Sequence, residues 1–122
     1  MVGLLFFWYS TLVTNDLTKQ HCVPCEGGVD PLAGRDLELL LGSVKNWALV
    51  DGKKISKELK FNGFVEAMKF VNRVAEIAES EGHHPDIFIS YNKVRFELTT
   101  HAIKGLSQND FILAAKIDEI TA

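Results

Sequence analysis

The chain is poor in several features that usually announce a function. Only two cysteines occur in 122 residues, which fits a reducing compartment rather than a disulfide framework. They form Cys22-Val-Pro-Cys25 beside His21, supplying two thiolates where a structural zinc site ordinarily takes four ligands. Gly27-Gly28 and Pro31 follow, where a thioredoxin-like redox motif would open a helix. The reading taken is reduced loop thiols, with zinc and redox roles as alternatives. There is no cationic excess: the net charge of -3 lacks the basic footprint of direct nucleic-acid binding. Long apolar runs are missing too. The stretch from Leu4 to Val13 contains Phe6-Phe7-Trp8-Tyr9 but falls short of the roughly 18 apolar residues that span a bilayer. Neither a basic start nor a small-residue cleavage site precedes Asn15, as a signal peptide would require. Residues 1–15 therefore read as an apolar extension, with a degenerate targeting or membrane-touching segment as the alternative. A Gly-rich phosphate loop, a dinucleotide fingerprint and a Ser or Cys nucleophile motif are all lacking. What remains is an ordinary composition, 47% apolar and 24% charged, expected to form one cytoplasmic domain with its own core.

Residues 16–34 read as an irregular lead-in, rich in glycine and proline and without apolar periodicity. The domain proper is expected over 35–122. A short helix over 35–43 places Leu37, Leu40 and Leu41 on one face, with Gly42 near its end. Residues 47–50 form a strand, Asp51-Gly52 a tight turn, and residues 55–61 its hairpin partner with Ile55, Leu59 and Phe61 on one side. Lys57 interrupts that alternation, which predicts a bulge or an edge position. Asn62 is the expected N-cap of a long helix over 63–80. Its core stripe is Phe64, Ala67, Met68, Val71, Val74, Ala75 and Ala78, and Gly82 is its stop. Two more strands, 87–91 and 94–98, are joined through Asn92-Lys93. Ser107 should N-cap a last helix, with Asp110 at the capping-box position and Leu113, Ile117 and Ile120 on one face. The order α-β-β-α-β-β-α is α+β and predicts a four-stranded antiparallel sheet with three helices on one face.

Three of the four histidines fall in His83-His84-Pro85 and at His101. If Asn92 and Lys93 form a two-residue loop, opposed residues have numbers summing to 185, pairing Tyr91 with Val94 and Ile87 with Leu98. Extending that register sets His84 opposite His101, approximately, because Pro85 has no N–H for a ladder. Cross-strand neighbours lie about 4.5–5.5 Å apart at Cβ, close enough to act on one small molecule. Three readings compete: a metal site without an evident fourth ligand, structural histidines, and a proton-transfer site. Histidine exchanges protons near neutrality, so the cluster points to acid–base chemistry on an organic ligand.

Glu79, His83-His84-Pro85, Tyr91, His101 and Asp110, at these spacings, resemble the signature of pterin-4a-carbinolamine dehydratases. The likeness runs from Arg35-Asp36 through Trp47, Phe61-Asn62-Gly63-Phe64, Tyr91-Asn92-Lys93-Val94 and Gly105-Leu106-Ser107, over about residues 35–120. The lead-in from Leu17 to Gly28 is similar to that of microbial and plant members. The resemblance implies a hydro-lyase, 4a-hydroxytetrahydrobiopterin dehydratase, that removes water from 4a-hydroxytetrahydropterin to give the quinonoid dihydropterin. This step follows aromatic amino acid hydroxylases in tetrahydrobiopterin recycling and takes no metal or organic cofactor. By the same likeness His83 and His101 are candidate general acids toward the 4a-hydroxyl, while His84 binds the ring and acts as base. Trp47 would lie against the pterin, and Glu79 would orient a histidine or touch the ring. Asp110 would steady His101, Thr99 and Thr100 would hydrogen-bond the ligand, and Pro85 would direct the chain. Gly82 departs from some animal members, which carry an acidic residue there. A homodimer or homotetramer is implied, with a hydroxylase as functional partner and no nucleic-acid or membrane partner. The alternatives are a dimerisation or coactivator module and a pterin role in molybdopterin metabolism.

Overall fold

The computed structural model describes residues 17–24 and 27–121; the expected extension over 1–15 and Cys25 lie outside the described residues. Its elements are α1 (Gly34–Gly42), β1 (Ala48–Val50), β2 (Lys54–Lys60), α2 (Phe64–Glu81), β3 (Asp86–Ser90), β4 (Lys93–Leu98) and α3 (Gln108–Thr121). A single 3-10 turn, His101–Ile103, lies between β4 and α3. The strands form the expected four-stranded antiparallel sheet, in the spatial order β1-β2-β4-β3. Strand residues 55, 57, 94, 96 and 98 are buried on the face that meets the helices, while Glu58 and Phe88 face outward. Strict alternation of this kind fixes which side of the sheet carries the core.

Lys57 corrects the expectation of a bulge or an edge. It lies on an inner strand whose pairing with β4 runs unbroken from Ile55↔Leu98 to Lys60↔Lys93. The lysine points into the core because its ammonium has partners there. Nζ donates to Asp118 Oδ1 at 2.6 Å and to the Lys45 carbonyl at 2.9 Å. Asp118 also accepts the Trp47 indole N–H at 3.0 Å and the Lys45 N–H at 2.8 Å. A buried charge is tolerated when its opposite is fixed beside it in this way.

The long helix starts one residue later than expected. Gly63, in extended conformation, is the N-cap, and its carbonyl accepts the Ala67 N–H at 3.1 Å. Glu66 folds back over it, within 2.9 Å of where a Cβ would stand. The core stripe is Ala67, Phe70, Val71, Val74 and Ala78. Phe64 and Ala75 are exposed instead, and Phe70 meets Phe61 and Phe96 at centroid distances of 5.2 and 5.9 Å. α3 likewise departs from a one-faced helix. Nine of its residues, from Asn109 to Ala115 with Ile117 and Asp118, are buried. It packs against α1 and α2 and also receives the lead-in, so it is covered on nearly every side.

The second hairpin is shifted. Its pairs are Ser90↔Lys93, Ile89↔Val94 and Ile87↔Phe96, so the loop is Tyr91-Asn92 and the positive φ of 52° falls on Tyr91. Asn92 is committed elsewhere. Its Nδ2 donates to Phe61 O at 3.0 Å, and its carbonyl accepts the Phe61 N–H at 2.8 Å, tying the loop to the end of β2. The shift preserves parity, so every side chain keeps its expected face.

Candidate active site

The end of α2 sets the first histidine. Gly82 takes φ 67° and donates its N–H to Glu79 O at 3.2 Å, while the His83 N–H reaches Ala78 O at 3.2 Å. These two bonds form a Schellman stop, which needs a left-handed residue and satisfies the last helical carbonyls. His83 therefore leaves the helix in a fixed direction. Its Nε2 lies 2.6 Å from Asp110 Oδ1.

Asp110 sits in the first turn of α3, where the helix dipole favours a carboxylate, and it is fully buried. Its second oxygen accepts the Thr100 hydroxyl at 2.8 Å and the Ser107 N–H at 3.0 Å. The expected capping box is thus half formed, for the Ser107 hydroxyl pairs with Thr100 Oγ1 at 2.7 Å instead. Paired with a carboxylate, which accepts, His83 Nε2 is the donor of this bond. His84 makes the corresponding contact outside. Its Nε2 lies 2.7 Å from Glu79 Oε1, with both side chains largely exposed.

His101 arrives from the other strand. β4 ends at Leu98, and the chain turns back through mutual backbone bonds between Thr100 and Gly105 at 2.8 and 3.4 Å. Gly105 is required by close approach, because a Cβ there would stand 2.7 Å from Pro31 Cβ. The short turn between them presents His101, whose ring has no hydrogen-bond partner among the described residues. The hairpin register excludes a direct strand pairing of His84 with His101. The two still share one cavity of about 280 Å³ with His83, Gly82, Thr99 and Thr100. A larger depression of about 460 Å³ adjoins it at Thr99 and His101, rimmed by Lys53, Lys54 and Lys104. Among the described residues no cluster of three His, Cys, Asp or Glu side chains is arranged to hold a metal.

Three histidines, two of them held by carboxylates, thus face one small cavity. The family model described as pterin 4 alpha carbinolamine dehydratase matches residues 30–120. The chain belongs to the pterin 4 alpha carbinolamine dehydratase family. A protein of Halorhodospira halophila, provisionally named pterin-4-alpha-carbinolamine dehydratase, is 48% identical over 107 residues, covering 87% of this chain and 98% of that protein. A relative from Methylococcus capsulatus with the same provisional name is 47% identical, covering 87% of this chain and 94% of its own length. Among solved structures, a transcriptional coactivator/pterin dehydratase from Brucella melitensis superposes with a TM-score of 0.72 at 32% identity. It covers 76% of this chain and all of that one. A pterin dehydratase-like RuBisCO assembly factor of the alpha-carboxysome shares the fold, with a TM-score of 0.55 at 19% identity over 64% of this chain and 92% of that one.

In this dehydratase-family chain the other expected site residues divide. Thr99 lines the cavity, but its hydroxyl donates to Lys53 O at 2.6 Å. Thr100 is occupied by Asp110, and Asp110 itself steadies His83 rather than His101. Pro85 precedes β3 and is not among the cavity's lining residues. Trp47 is elsewhere: it is buried in the core, its N–H spent on Asp118, and it does not border the cavity.

Two residues near the site gave no signal in the sequence. Glu81 and Asn109 hold the lead-in against the ends of α2 and α3. Burial pushes the Glu81 carboxyl up, yet the Cys22 N–H, His21 and Lys116 outweigh it and bring it down to about 2. Burial, followed by the charge of Glu81, pushes the Cys22 thiol up to about 12, so it stays protonated and unreactive near neutrality. Only a partner sixty residues away in sequence distinguishes Glu81 from an ordinary helix-end glutamate.

Proposed function

We propose that this protein dehydrates 4a-hydroxytetrahydropterin to the quinonoid dihydropterin, with His83, His84 and His101 as its acid–base groups. The reaction breaks the C4a–O bond, forms C4a=N5 and releases N5–H as a proton. A hydroxide is a poor leaving group, so a histidine must give it a proton while another group takes the one from N5. His83 and His101 act as acids toward the hydroxyl, and His84 binds the ring and accepts the N5 proton. The observation that carries this reading is the cavity bordered by all three rings, with buried Asp110 fixed on His83. A positive charge on His83 would face that carboxylate at 2.6 Å. Glu79 orients His84 from outside, and Thr99 and Thr100 line the cavity. The reaction takes no metal or organic cofactor in this reading.

The substrate is supplied by an enzyme that hydroxylates an aromatic amino acid with a tetrahydropterin, and the product returns to that cycle in the cytoplasm. A homodimer or homotetramer is supported by β3, an edge strand whose Phe88 and Ile89 are substantially exposed. A second reading is a binding module for another protein, favoured by Phe64 and Val65 exposed on α2. The test is the dehydration rate with substrate generated in place by a hydroxylase. Acceleration that is lost in a folded His84→Ala variant supports the enzyme. A wild type no faster than the spontaneous reaction would turn attention to the binding module or to a different pterin, such as one of molybdopterin metabolism.

A further inference from the structure

The end of α2 and the start of α3 each contribute to two structures. His83 and Asp110 meet across them beside the cavity. Glu81 and Asn109, two positions and one position away, turn to the lead-in. Glu81 accepts the Cys22 N–H at 2.7 Å and lies 3.0 Å from His21 Nδ1 and 3.3 Å from Lys116 Nζ. Buried Asn109 accepts the Val23 N–H on Oδ1 at 3.0 Å and donates its Nδ2 to Val23 O at 2.6 Å. One side chain thereby satisfies both backbone groups of one residue, which fixes its position and its orientation. Val23 and Pro24 border the histidine cavity. They also border a second, largely apolar depression of about 260 Å³ with Val29, Leu32 and Ile103. This pair is therefore shared by two spaces, and its anchors stand on the same two helix ends that hold His83.

We propose that Glu81 and Asn109 are positioning residues that clasp the lead-in, making Val23 and Pro24 the wall that holds a pterin beside His83. The inference rests on the pterin reading above. A wall referenced to the same helix ends as the histidine keeps the ring at a constant distance from it. Losing the clasp merges the two cavities and removes binding that ground state and transition state share, which raises KM more than it lowers kcat.

The test uses the full chain with Glu81→Gln/Asn109→Ala, and with Asn109→Ala alone, which keeps the charge network should the double variant fail to fold. Amide hydrogen exchange reads the clasp, binding of 7,8-dihydrobiopterin reads the wall, and steady-state kinetics separate KM from kcat. The expected result is loss of protection at the Cys22 and Val23 amides while β4 and α3 stay protected. The pterin Kd and the KM then rise about tenfold with kcat within about threefold of wild type. Amides that remain protected, or that exchange freely with Kd and KM unchanged, overturn the proposal. A wild type that binds 7,8-dihydrobiopterin but dehydrates nothing would sink the enzyme reading alone. The clasp would then stand or fall on Kd and amide exchange.

Discussion

Asp110 accepts three hydrogen bonds, and each donor constrains something different: a histidine ring, a threonine hydroxyl and the backbone N–H of the residue that precedes a helix. Glu81 has the same economy of position, gathering a backbone N–H, an imidazole and an ammonium. The pH dependence of that cluster can be predicted in sign. The Glu81 carboxyl is held at about 2 in the folded chain against 4.5 ordinarily, so its folded pKa is depressed. A depressed carboxyl stabilises fully above its unfolded value and loses that contribution as pH falls toward the folded one. The Tm difference between wild type and Glu81→Gln should therefore be level above about pH 5.5 and shrink from about pH 4.5 toward pH 2. Calorimetry across that range checks it, and a difference that grows on acidification would contradict it.

Elements position these residues, and Gly82 is the clearest instance. Its φ of 67° is awkward for any side chain, so Gly82→Ala should cost about 1 kcal/mol by denaturant unfolding. Because His83 leaves the helix through the same stop, the variant should also lose dehydratase activity beyond what its stability explains. Much of this level was legible in the sequence. Alternation along Val94, Phe96 and Leu98 fixed the buried face of β4, and Gly82 marked the end of α2. The hairpin register was not legible, because Asn92 looks like a turn residue with a free side chain, and only the distant Phe61 backbone reveals that it is engaged. The same limit hid the pairing of Asp110 with His83. Capping explains an aspartate at that position equally well, and the family resemblance pointed its second contact to His101 rather than His83. Lys57 resisted for a similar reason: its partner, Asp118, lies 61 residues later on another element.

Across the whole molecule, one buried polar knot and the histidine cavity draw on different residues. Lys57, Asp118 and Trp47 join β2, α3 and the residue preceding β1, and none of them lines the histidine cavity. Breaking a buried ion pair by removing one partner leaves an uncompensated charge, so Asp118→Ala should lose about 3–5 kcal/mol of stability. Trp47→Phe should cost about 1–2 kcal/mol for the lost hydrogen bond and leave KM for the pterin unchanged in the folded protein. Urea unfolding and steady-state kinetics test the two together. A large KM increase in Trp47→Phe would return the indole to the binding site.

The central claim, that His83 and His101 act on one substrate in one cavity, is tested most directly by single-turnover dehydration of 4a-hydroxytetrahydropterin. Wild type is compared with His83→Ala and His101→Ala, each confirmed folded by circular dichroism. Each loss is predicted to slow the chemical step by about a hundredfold or more, in the range ascribed to one positioned acid or base. Wild-type rates in both folded variants would contradict the account.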